Sequence, residues 1–261
     1  MKRFSSLFVF LFLLMTAMAK PIDVRQVMVR FDQAFIPLWF STELGDLDNA
    51  RSTVAYTEFR WQQMERTLRL LLPEGEWTLH LDRTEDWLTD AYWAVQRGDL
   101  AMAAIELDHA RFEMMAMRRQ LGIMDYYPDQ LYQLHSSLDI LAEISEDPKL
   151  CLLDWNEFAR LVEQAQTDWI TLRDRQIDAQ VYDLAADQIN ELNRLADDLE
   201  EAMDRLTQRM HEAQRLEVAG AINAADAVLI QCIRLFGQFD TTSVLFADPR
   251  QDDGQKATKT F

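Results

Sequence analysis

Glycine and proline are scarce in this chain, seven and six among 261 residues, and no stretch alternates polar with apolar side chains as a half-buried strand does. A sheet protein is therefore excluded, and the long apolar periodicity near 3.5 residues predicts helices throughout. Cysteine is scarcer still. With only Cys151 and Cys232, no disulfide framework can staple the fold, so a hydrophobic core has to hold it. Basic residues are outnumbered, 26 Lys and Arg against 44 Asp and Glu. That balance disfavours nucleic acid and anionic membrane surfaces as partners, because both present like charge. Long hydrophobic runs are also missing: the longest, Ser6 to Thr16, is far short of the roughly 20 residues a spanning helix needs.

That short run has a different meaning at the N-terminus. Met1-Lys2-Arg3 is a positive start, Ser6–Thr16 an uncharged apolar stretch and Ala17-Met18-Ala19 a small-x-small box, the three parts of a cleavable secretory signal. Residues 1–19 are thus expected to be removed, with mature chain from Lys20 in a bacterial periplasm. Their loss takes Lys2 and Arg3 but no acid, moving the net charge from −18 to −20.

What remains reads as an all-α antiparallel bundle, expected as two consecutive four-helix units over 20–125 and 126–239, with a disordered polar tail over 240–261. In the second predicted helix, about 46–72, Leu47, Ala50, Val54, Thr57, Trp61, Met64, Leu68 and Leu71 keep three-four spacing along one stripe. The fourth, about 99–121, repeats this with Leu100, Ala103, Leu107, Ala110, Met114, Met117 and Leu121. The first, about 22–44, places Val24, Met28, Phe31, Phe35 and Leu38 together, with Pro37 expected to kink it. The third, about 83–97, follows a break at Leu72-Pro73-Glu74-Gly75 and presents Trp87, Ala91 and Val95. Leu131, Trp155, Leu192 and Val218 each open a comparable stripe in the second half.

Gly45-Asp46-Leu47 and Gly98-Asp99-Leu100 lie 53 residues apart, and the same offset pairs Ala50 with Ala103, Phe59 with Phe112 and Met64 with Met117. Two related hairpins are expected. In each, Gly takes the left-handed position that ends a helix and Asp caps the free amides of the next.

Over 22–121 this plan resembles the periplasmic four-helix-bundle cytochromes, the soluble b-type one and cytochrome c-prime. The resemblance implies a bundle and, in the b-type family, haem iron held by a Met early in the first helix and a His late in the fourth. Met28 stands where that Met would. The fourth helix carries Met114, Met115, Met117 and Arg118 but no later His, and no Cys-x-x-Cys-His occurs for covalent attachment. No cofactor is therefore expected, with haem or copper as the alternative.

Other residues could carry chemistry. Glu106-Leu107-Asp108-His109 has the Glu-x-x-His spacing of di-iron bundles but lacks a second copy. Met114 and Met115 could offer thioethers to copper, although Met is an ordinary core filler. Tyr126, Tyr127, Asp129 and His135 cluster where the halves join and could line a ligand pocket; the plainer reading is a helix start covered by tyrosines. Trp77 and Trp93 could mark an apolar contact surface. If helices six and eight run parallel, Cys151 and Cys232 would lie ~20 Å apart at ~1.5 Å per residue. Bridging needs Cα atoms within about 7 Å, so free thiols are expected. No Ser-His-Asp order, phosphate loop or zinc motif stands out, so no catalytic residue is assigned. The expected role is that of a non-catalytic accessory protein binding another envelope protein or a small ligand. The alternative is a haem-, copper- or iron-binding bundle using Met28, Glu106, His109, His135 or the methionines.

Overall fold

Where Gly is followed by Asp, one helix ends and the next begins within three residues. In the computed structural model, which describes residues 23–146, 155–212 and 215–239, Gly45 and Gly98 both adopt positive φ, 68° and 80°. The amide of Asp46 donates to the carbonyl of Ser41 at 2.8 Å and that of Asp99 to Ala94 at 2.9 Å, the six-to-one bond that closes a helix C-terminus. Each Asp then caps the following helix, accepting from Asn49 N at 3.2 Å and from Met102 N at 3.1 Å. Both turns thus use one hydrogen-bond scheme at the 53-residue offset. The leader, Pro148, Cys151 and the tail from residue 240 lie outside the described residues.

Among the described residues there are eight helices: α1 (Val24–Glu43), α2 (Leu47–Leu71), α3 (Trp77–Arg97), α4 (Leu100–Gln120), α5 (Tyr127–Glu146), α6 (Trp155–Arg173), α7 (Ala186–His211) and α8 (Arg215–Arg234). No strand occurs among the described residues, so the all-α bundle predicted from periodicity is the fold. Each of α1 to α4 packs on the next and α4 returns to α1; α5 to α8 close the same kind of ring. Contact between α1 and α8 joins the rings, and one continuous core runs through both.

α3 starts six residues earlier than periodicity predicts. Trp77 is buried and its indole N–H donates to the Pro73 carbonyl at 2.9 Å, while the Thr78 hydroxyl closes on Gly75 at 2.6 Å. One anchored aromatic therefore converts an expected loop into a helix start. Trp93, by contrast, is largely exposed.

α1 is the exception to single-stripe packing. Beside Met28, Phe31, Phe35 and Leu38, the residues Val29, Ile36, Trp39 and Phe40 on its other faces are buried too, because α2, α4 and α8 all lie against it. A helix apolar all round belongs in an interior. Pro37 sits within it and cannot donate to the carbonyl four residues back. That carbonyl, on Gln33, accepts instead from the Gln238 amide at 2.7 Å. The segment after α8 thus supplies the bond that the proline removes. The approach is close enough that a Cβ on Gly237 would stand 2.8 Å from Ile36 Cγ2, which accounts for glycine there.

Candidate functional site

Where the rings meet, polar side chains form a seam through otherwise apolar packing. α5 contributes Asp129, Tyr132, His135, Ser136 and Asp139 at three-four spacing, α4 contributes Arg118, Arg111 and Asp108, and α1 contributes Asp32, Trp39 and Glu43. The seam falls into three levels.

At the first level, Arg118 is buried and grips Asp129 with two nitrogens, Nε at 2.8 Å and Nη2 closer still. Its Nη1 lies 3.4 Å from Asp32, and its guanidinium rests 4.3 Å from the centroid of the Tyr126 ring. Burial raises the Asp32 carboxyl to about 6, against the pull of Arg118. Burial also raises the Tyr126 and Tyr132 hydroxyls well above their usual range, so both stay protonated. At the second level, buried Arg111 donates to Asp108 at 3.2 Å and to Ser136 at 3.0 Å, with its guanidinium 4.6 Å from the Tyr132 ring.

The third level centres on His135. Its Nδ1 is 2.6 Å from Asp226 of α8 and its Nε2 is 3.3 Å from Asp139, one turn along α5. Trp39 meets the imidazole edge-to-face at 5.3 Å. Burial lowers the His135 pKa, but the Asp226 hydrogen bond and the charges of Asp226, Asp139 and Glu43 outweigh it and hold the group above its ordinary value. Partial desolvation in turn raises the carboxyls of Glu43 and Asp139, which are otherwise exposed, against the opposing charge of His135. The imidazole is buried with 4% of its surface exposed, whereas Asp139 is 54% exposed, so the level opens to solvent on one side.

A separate cleft of about 540 Å³ lies between the end of α6 and α7. Ile177, Ile189, Leu192 and Ala196 give it apolar walls, and Tyr127, Arg173, Arg175, Gln176, Asn193 and Asp197 give it polar ones. Arg173 is partly engaged by Glu200 and, at 3.8 Å, by Asp174.

The residues singled out from sequence at the junction are thus split among three places. Tyr126 and Asp129 belong to the Arg118 cluster. Tyr127 lines the cleft, its amide donating to the Tyr182 hydroxyl at 2.8 Å. His135 anchors the third level. Glu106 and His109 are neighbours at 3.6 Å, but His109 is half exposed and its ring lies 4.4 Å from Trp87. Met28, Met114 and Met115 are buried in the interior, and Met115 Sδ accepts from Gln133 at 3.4 Å. Cys232 is a free, buried thiol that burial pushes up to about 12, so it is a poor nucleophile or ligand at neutral pH.

Sequence reasoning passed over Asp32, Arg111, Arg118, Asp139, Asp226, Arg173 and Arg175. Two signals were available. Arg111 and Arg118 stand one heptad apart beside the α4 stripe, and His135-x-x-x-Asp139 puts an imidazole and a carboxylate on one helical face. Compared with family models, curated proteins and solved structures, the chain has no match.

Proposed function

We propose that this chain is an exported periplasmic accessory protein that binds a small amphiphilic anion without transforming it. The observation that carries this reading is the cleft beside Tyr127, where four aliphatic residues and two arginines line a volume of drug-ligand size. Aliphatic walls take up an apolar body, and Arg173 and Arg175 suit a carboxylate or phosphate head. The leader over 1–19 supplies the export step and the acidic surface keeps the mature chain soluble.

Octanoate serves as the test probe. Titrated into purified protein, it should raise the melting temperature saturably, by an amount that grows as the logarithm of ligand over Kd. The pair Arg173→Gln with Arg175→Gln should weaken that response by about tenfold or more, equivalent to roughly 1.4 kcal/mol. No shift at millimolar octanoate, or the same shift in the double variant, removes the reading. Export is checked separately by intact mass of the periplasmic product, expected to begin at Lys20.

A further inference from the structure

The outer two levels of the seam carry similar groups in similar places but balance them differently. At the first, the carboxylates of α1 and α5, Asp32 and Asp129, close on Arg118. At the third, α1 offers Glu43, α5 offers Asp139 and α8 adds Asp226, and among the described residues only His135 pairs with Asp139 and Asp226. Arg111, whose charge reaches Asp139, is held by Asp108 and Ser136. Two carboxylates therefore flank one imidazole, with the charge of Glu43 acting on it as well and no fixed cation paired with either among the described residues.

We propose that His135 and Asp139 bind a divalent cation of the zinc or manganese type, with Asp226 orienting the imidazole and Glu43 adding charge from the end of α1. Asp226 holds Nδ1 at 2.6 Å, which keeps a proton on that nitrogen, so a cation would enter at Nε2 and displace the second proton, the one that faces Asp139, into solvent. A carboxylate behind a ligating histidine is the usual means of fixing its tautomer and raising its basicity. The separation of the two donor atoms also fits. Nε2 and Oδ2 stand 3.3 Å apart, and metal–ligand bonds of roughly 2.0–2.1 Å to both would subtend about 105–110° at the ion, close to tetrahedral. Neither side chain has to move far.

The donor types narrow the ion. Imidazole nitrogen with carboxylate oxygen suits zinc, manganese, cobalt or ferrous iron; copper(I) favours sulfur, and calcium and magnesium favour all-oxygen sites. Buried His135 supplies a rigid base, and half-exposed Asp139 leaves an access path on which water completes the coordination. This inference does not depend on the Tyr127 cleft, which shares no residue with it.

Isothermal titration of zinc into protein stripped with a chelator should show one site per chain. Asp139→Asn and His135→Gln should each lower affinity about tenfold or more, and Asp226→Asn by roughly 10–100-fold. Glu113→Gln, whose side chain pairs with His80 between α3 and α4, should leave it unchanged. Cobalt in place of zinc should give visible d–d bands without a thiolate charge-transfer band, and Asp139→Asn should abolish them. Circular dichroism checks folding; if His135→Gln does not fold, the half-exposed Asp139 decides the matter alone. Absence of stoichiometric binding, or binding unchanged in Asp139→Asn, overturns the proposal, the latter by placing the ion on scattered surface acids.

Discussion

Level one of the seam and level three use the same economy of carboxylates around a single base, yet solvent treats them oppositely. Arg118 and Asp129 are sealed on all sides, so their ion pair is structural and each partner depends on the other. His135 is sealed, but Asp139 reaches water, so the same kind of pairing can exchange a partner. Burial of the charge separates a fastening from a binding site; residue type does not.

The sharpest way to break that contrast is Asp129→Ala. It strands the Arg118 guanidinium in the interior and should cost about 3–5 kcal/mol in chemical denaturation. A loss below about 1 kcal/mol would show that Asp32 takes over the pair and that the first level is not sealed.

Asp32→Asn has a smaller effect, of opposite sign at neutral pH. The folded carboxyl titrates near 6 and the unfolded one near 3.8, so between those values the unfolded chain has released the proton while the folded chain still holds it. Stability from this group is intact below about pH 4 and declines as pH rises to about 6, by on the order of 3 kcal/mol. Asparagine cannot ionise, so the stability of the variant relative to wild type should rise across that window and level off above it. A difference that stays flat from pH 4 to 7 refutes the raised value.

The smallest expected stability change is at the open end. Asp139→Asn, half exposed, should alter unfolding free energy by less than about 1 kcal/mol in metal-free protein. A drop comparable to that of Asp129→Ala would mean that the third level is a fastening as well.

Much of the fold was legible because apolar residues recur at helical spacing and glycine-aspartate pairs punctuate them. The start of α3 was not, because Trp77 is anchored by a hydrogen bond to Pro73 that no periodicity announces. α1 was only half legible: its stripe through Met28, Phe31 and Phe35 was clear, but burial of Ile36 and Trp39 depends on a second ring that local spacing cannot reveal. The candidate site was less legible still. His135 stood out as an imidazole near the junction, whereas Asp226 approaches it from 91 residues away, and single-chain spacing carries no signal over such a separation. The acidic background hid Asp139 for a similar reason, since one carboxylate among 44 acidic residues is conspicuous only once its neighbour is known.

The clasp between Gln33 and Gln238 gives the molecule a direction in time. The innermost helix is synthesised before the other seven described helices, yet the donor that completes its proline-broken ladder comes just past α8. Until Gln238 has been made and α8 has packed, that carbonyl lacks this donor and the central rod is not fully sealed.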